Sequence, residues 1–431
     1  MPHDYAVKEI VSRSTPMQSM SDLGPLLDKI KDKKVVMLGE SSHGTKEFYE
    51  WRSLISRELI EHHGFNFIAV EGDWPPCQEI NRYIQHKNLL SPFETLSSFS
   101  RWPTWMWGNT QMLDTMEWMR DLNGPDRKQI GFHGLDVYSL YESLDEVIRQ
   151  LTDVDPAMAA RIKDSYGCFE PYRHDEMAYV KSLFKRPEGC EKEVAEALEE
   201  ILKEKLHGNE SFFDATQNAK IINNAEKYYR SMVFTHDSWN VRDRHMMDTV
   251  DMLLGHYGPE SKGIVWAHNT HIGDYHATDM VAHKQVNIGG LARERLGREK
   301  VALVGFTTDH GSVIASSAWD GPIQILDVPV GRRGSLEALL KRAIPEVGHN
   351  DFFVTFDDVE EHSTLFDYKG HRAIGVVYNP HLEGMGNYVP SAVAGRYDAL
   401  VFIEETTALT PLEIGFNRHK LPETYPYGAR M

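Results

Sequence analysis

Seven short apolar runs carry no polar alternation: Val35–Leu38 (VVML), Phe67–Val70 (FIAV), Gln129–Phe132 (QIGF), Gly263–Ala267 (GIVWA), Val301–Phe306 (VALVGF), Ala373–Tyr378 (AIGVVY) and Ala399–Glu404 (ALVFIE). Side chains of a strand point alternately to opposite faces, so a strand wet on one side alternates apolar with polar. Runs without alternation belong to strands covered on both faces, which is the condition of a parallel sheet between helical layers. Helical patterns separate the runs. Phe48, Trp51, Ile55 and Leu59 recur at helical spacing and Gly64 closes that helix; Met112–Leu122 reads the same way. The stretch 138–235 is rich in Glu, Lys, Ala and Leu and shows no convincing strand, so it reads as a helical insertion. The expected fold is α/β, a mostly parallel sheet flanked by helices with a helical insertion subdomain, in one domain over 1–431.

With 431 residues and 41% hydrophobic content, the chain can bury a core that needs no disulfide or metal to fold. Its net charge of −18 disfavours nucleic acid and anionic membrane as partners. No apolar stretch approaches the ~20 residues of a membrane span. Cys77, Cys168 and Cys190 are odd in number and show no CxxC spacing, which fits a reducing compartment better than a disulfide framework. The N-terminal segment lacks the apolar core of a signal peptide. The expected location is the cytoplasm.

Parallel sheets bind ligands beyond the carboxyl ends of their strands. Here those ends carry acids and histidines: Glu40 and His43 after VVML, Glu71 and Asp73 after FIAV, His133 and Asp136 after QIGF, and His268 and His271 after GIVWA. Buried carboxylates cost desolvation unless paired, so folding alone gives no reason for this repetition. His43, in a glycine-bounded turn, suits a general base because imidazole titrates near neutral pH. Glu40 and Glu71 suit the orientation of that base or of a water, or the sharing of a proton; helix capping is the plainer alternative. Arg52 falls on the buried helix stripe and is expected to reach back to Glu40 or Glu71. His268 and His271 form H-x-x-H, read either as half a metal site or as the oxyanion-stabilising side of a hydrolytic site. Trp102, Trp105 and Trp107 line an apolar substrate pocket or simply fill the core. Arg242, Asp243, Arg244 and His245 read as salt-bridge scaffolding at a helix start. No G-x-S-x-G, phosphate-binding loop or dinucleotide fingerprint is present, which counts against serine-esterase, nucleotide-hydrolase and NAD chemistry.

At LGESSHGTKEFYEWR the sequence resembles the erythromycin esterase family, and the likeness continues through VEGDW, RWPTWMWGN, FHGLDVYS, WNVRDRHM and WAHNTHIGD, over most of the chain. The resemblance implies an ester or lactone hydrolase acting on a small molecule without an essential metal. It implies that His43 is the base activating water, that Glu40, Glu71 and Arg52 surround that water, and that His268 and His271 form the opposite wall. Two other readings remain beside it. One is a metal-dependent hydrolase, in which the histidines and glutamates hold a divalent metal. The other is a haem-, metal- or polysaccharide-precursor-binding protein of the succinoglycan type, without turnover.

Overall fold

In the computed structural model, residues 2–124, 129–172, 175–203, 210–360, 362–417, 420 and 422 are described. Parts of the 138–235 stretch, at 173–174 and 204–209, and both extreme ends of the 1–431 domain lie outside them. The strands in chain order are β1 (Ser14–Pro16), β2 (Val35–Leu38), β3 (Phe67–Asp73), β4 (Gly131–Asp136), β5 (Gly263–Trp266), β6 (Val301–Ala315), β7 (Gln324–Val328), β8 (Phe352–Thr355), β9 (Lys369–Arg372), β10 (Tyr388–Ser391) and β11 (Ala399–Thr406).

Nine strands form one sheet in the order β1-β8-β11-β6-β2-β5-β3-β4, with β7 paired to β6. The six strands from β11 to β4 run parallel, and β8, β1 and β7 pair antiparallel at the margins. Two-sided burial explains the missing alternation. Val35 and Met37 of β2 enter one apolar core while Val36 and Leu38 enter the other. β5 splits the same way, with Ile264 and Trp266 on one side and Val265 on the other.

Three expectations are corrected. Ala373–Tyr378 is not a strand; its Ile374 and Val377 make only isolated bridges, to Ser42 and Ser316. The third apolar run continues as β4 through Asp136, so His133 lies mid-strand and Asp136 arrives at the end. The strands β1, β7 and β8 were not among the apolar runs: β1 and β7 are partly exposed edges, whereas β8 lies between β1 and β11 with Phe352, Phe353 and Val354 buried and carries the same apolar signal as the others.

The helix Lys46–His63 buries Phe48, Ile55 and Leu59 as its spacing requires, and also Arg52. Gly64 ends it in the left-handed region at φ 75°, which residues with a Cβ rarely adopt. Among the described residues, only helical segments lie between β4 and β5. Those from Leu140 to Phe234 share an apolar core of their own, including Leu144, Ile162, Ile201 and Tyr229. The helix Ser238–Tyr257 instead packs Met246, Met247, Val250 and Leu253 onto the sheet. No helix among the described residues is long and apolar enough to cross a membrane.

The cysteine expectation is overturned. Cys168 and Cys190, 22 residues apart, are joined by a disulfide within the helical layer. Sequence spacing did not show this, because helix packing brings the two together. Thiol titration of the unfolded chain is expected to find one thiol without reductant (3 cysteines less 2 bridged) and three after reduction. Cys168→Ser should cost about 3 kcal/mol by the loop-closure argument, read as a lower melting temperature.

Candidate active site

The sheet brings the ends of β2, β5, β3 and β4 side by side. Gly39 follows β2 where a Cβ would lie 2.1 Å from Asn269 Oδ1, so this turn admits only glycine. That closeness lets the Asn269 amide donate to the Glu40 carbonyl at 2.8 Å, while Asn269 Nδ2 donates to the Phe306 carbonyl at 2.8 Å. The β2, β5 and β6 ends are thereby tied together.

Glu40 holds His43 from one side: His43 Nδ1 lies 2.9 Å from Glu40 Oε1. The second carboxylate oxygen forms an ion pair with Arg52 at 2.7 Å. Arg52 is fully buried, with its guanidinium over the rings of Tyr49 and Trp266 at 4.4 and 5.1 Å. It therefore acts through Glu40 as a positioning residue. A carboxylate at Nδ1 places the proton there and leaves Nε2 of His43 as the basic nitrogen.

His268 has the opposite polarity. Its Nδ1 accepts from the Thr270 amide at 3.2 Å as a helix cap. Burial, followed by repulsion from His43, holds it well below the usual histidine range, so the ring is neutral. With Nδ1 accepting, the proton sits on Nε2, which is buried, and the Ser41 backbone is the acceptor that meets this ring. The two rings are 4.9 Å apart between centroids. One ring thus offers a lone pair and its neighbour an N–H.

Glu71 belongs to a second network. It accepts from the His268 amide at 2.8 Å and from Arg242 at 2.8 Å. Arg242 also grips Asp136 at the end of β4 through two bonds of 2.8 and 2.6 Å. His271 completes the group, with Nδ1 2.9 Å from Asp243 Oδ1 and Nε2 3.4 Å from Glu71 Oε1. Its ring stacks on Trp239 at 4.5 Å and 8°. Burial raises the carboxyl of Glu71, but His271, Arg242 and His43 outweigh it and hold Glu71 well below the usual range. For His271, burial lowers the pKa, yet Asp243 and Glu71 overcome both burial and Arg242 and raise it to about 9. Arg242 lies 3.0 Å from His271 Nε2 and opposes that charge. Because the Arg242 N–H can only donate, it takes the Nε2 lone pair of the neutral ring, and protonation turns Nε2 into a donor that faces Glu71 Oε1 at 3.4 Å.

A histidine raised in the fold contributes stability fully below its unfolded pKa, and that contribution is lost as pH rises through the folded value. Stability from His271 is therefore expected to be complete below about pH 6.5 and to decay through about pH 9. The lowered Glu71 contributes above its usual range near 4.5 and loses that contribution as pH falls. Melting temperatures across pH should fall on both flanks, and the alkaline fall should vanish in His271→Gln.

The structure brings together all six polar residues singled out in the sequence: Glu40, His43, Arg52, Glu71, His268 and His271. The two glutamates have separate partners. The three tryptophans are buried in the apolar core. Trp107 Nε1 donates to the Glu71 carbonyl at 3.1 Å and so braces β3, and Trp102 packs against Trp319. Arg242, Asp243 and Asp136 join the site although the sequence suggested scaffolding for the first two. Among the described residues, no group of three or more His, Cys, Asp or Glu is arranged to hold a metal ion.

The erythromycin esterase family model matches residues 60–406. The chain belongs to the erythromycin esterase family. It is 23% identical to YbfO of Bacillus subtilis strain 168, which carries a provisional hydrolase name, over 90% of this chain and 87% of that one. It is 31% identical to erythromycin esterase type II of Escherichia coli over 28% of each chain. Among solved structures, a Bacillus cereus protein matches with a TM-score of 0.81 at 20% identity, covering 95% of this chain and 99% of that one. A succinoglycan biosynthesis protein matches at 0.79 and 21% identity, covering 95% and 98%. A mutant of the erythromycin esterase EreC in its open conformation matches at 0.64 and 17%, covering 95% and 99%. At these identities the structures support the fold.

Proposed function

We propose that this erythromycin esterase family member is a carboxylic ester hydrolase that cleaves an ester or lactone with a histidine-activated water. The observation that carries the reading is the opposed polarity of His43 and His268. His43 Nε2 takes a proton from water as the water oxygen attacks the acyl carbon. The carbonyl electron pair moves to oxygen, which accepts a hydrogen bond from the His268 Nε2–H. On collapse the acyl–oxygen bond breaks, and the leaving alkoxide takes the proton held on His43. An acid and an alcohol result. Glu40 holds the His43 Nδ1–H throughout and offsets the imidazolium charge, as the ionised Glu71 does from the far side. His271 and Arg242 fix Glu71.

Incubation with macrolides, simple lactones and aryl esters, followed by mass spectrometry, tests the reading. It expects at least one of them to gain the mass of one water, with the gain unaffected by chelator. Activity lost to chelator and restored by a divalent metal would replace it with the metal-dependent reading. Failure to cleave any ester or lactone of the panel would remove it.

A further inference from the structure

We propose that Arg396 is a positioning residue of the hydrolytic site: through the Asn269–Thr270 peptide its charge strengthens the hydrogen bond into His268 Nδ1, and so makes the His268 Nε2–H a stronger oxyanion donor. The effect on rate rests on the ester-hydrolase reading above. The effect on the His268 ring stands without it.

Among the described residues six arginines are buried. Five of them, Arg52, Arg101, Arg242, Arg293 and Arg372, hold a carboxylate at 3.0 Å or closer. Arg396, the last residue of the helix Val393–Arg396, makes no ion pair with any described residue. Its Nη1 donates to Ser391 Oγ at 2.6 Å, its Nη2 donates to the Asn269 carbonyl at 2.9 Å, and its Nε meets no described acceptor. Burial pulls its pKa down, against the attraction of Tyr397, Asp279 and Glu337, and neither carboxylate is paired with it. A guanidinium keeps its charge even so. A buried cation without a counter-charge is destabilising, so folding alone gives no reason for this one.

The chain makes room for this side chain beside the site. A Cβ on Gly273 would lie 2.5 Å from Arg396 Nε and 2.9 Å from its Cγ. Gly273 has φ −74°, which any residue adopts, so space and not backbone conformation calls for glycine there. The Asp274 amide donates to the Arg396 carbonyl at 3.0 Å and ties the same segment down. The Asn269 carbonyl already accepts from the Gly273 amide at 3.1 Å, so the turn Asn269–Ile272 closes without the arginine. What Arg396 adds is charge on that carbonyl. The carbonyl shares a peptide group with the Thr270 amide, which donates to His268 Nδ1 at 3.2 Å. Hydrogen bonds in series polarise one another, and a charged donor makes a bond roughly twice as strong. The series ends on His268 Nε2–H, which the Ser41 backbone meets at rest. An oxyanion forming at Nε2 is then answered by a full charge at the far end of the series.

Nitrogen-15 NMR of the full chain labelled at histidine, with His268→Gln to assign the ring, tests the link. In the native chain His268 should carry its proton on Nε2, with the Nδ1 resonance displaced from the free position by the bond it accepts. Arg396→Met should move Nδ1 back toward the free position. Gly273→Ala, which drives the arginine aside without deleting it, should do the same, and it carries the test if the first variant does not fold. On an ester that the native chain cleaves, either variant should lower kcat about tenfold and leave KM within about twofold. A merely structural arginine would lower the melting temperature and leave the ring resonance in place. A native His268 protonated on Nδ1, or a folded variant whose Nδ1 stays at the native position or gains the proton, would overturn the proposal. So would a shifted ring with kcat unchanged. If the native chain cleaves no ester, the hydrolase reading fails, and the ring resonances alone decide whether Arg396 acts on His268.

Discussion

Alanine in place of His43 is expected to cut ester turnover about 10²–10⁴-fold with little change in melting temperature. The two halves of this expectation have different causes. His43 contributes the basic Nε2, and no described side chain stands in a position to replace it. Its loss leaves Glu40 still paired with Arg52 at 2.7 Å, so no carboxylate is stranded in the core. Glu40→Gln should be milder, because an amide oxygen can still accept from Nδ1–H but no longer offsets the imidazolium. Steady-state rates on an ester that the native chain cleaves, with thermal unfolding as the control, check both. A His43→Ala protein that unfolds more readily while its kcat stays near the native value would reverse the assignment.

Arg242→Met is expected to produce the largest loss of stability, about 3–5 kcal/mol. The guanidinium is buried and makes bonds to Asp136 at 2.8 and 2.6 Å and to Glu71 at 2.8 Å. Removing it leaves two carboxylates in a dry site without their counter-charge, which costs more than the pair itself is worth. Adding Asp136→Asn to Arg242→Met should recover part of the loss, since one stranded charge is then neutral. Urea unfolding of the single and double variants measures both effects. A loss below about 1 kcal/mol, or strict additivity of the two changes, would show that the network carries little of the core's energy.

These two residues mark the limits of the sequence reading. His43, Glu40, Glu71, His268 and His271 were legible because each follows an apolar run, and the parallel sheet gathers such positions at one edge. Arg52 was legible because a charge on a buried helical stripe must have a partner, and Glu40 is that partner. Arg242 and Asp243 were not legible, because alternating charges at a helix start look the same on a solvated face as against a buried site. The available signal was their spacing within that helix, where Met246, Met247 and Val250 already require one face to meet the sheet. Asp136 was displaced by a register error. Phe132 seemed to end its strand, although His133, Gly134 and Leu135 continue it in full burial. His133 is neutral, lowered to about 3 by burial, and stacks on Trp74, so it behaves as a core aromatic. The disulfide depended on the packing of helices in the insertion, which no local pattern of Cys168 or Cys190 encodes.

The central claim is that water itself, activated at His43, is the nucleophile. Ser41 and Ser42 precede His43 in the same turn, and Ser41 Oγ is buried with no hydrogen-bond partner among the described residues, so a covalent route through that turn is the concrete rival. Hydrolysis in oxygen-18 water under single-turnover conditions, with intact-protein mass followed through the reaction, separates the two. The expected result is one labelled oxygen in the acid product, none in the alcohol, and a protein mass that never changes. A protein that transiently carries the acyl group on the 41–42 segment would contradict it.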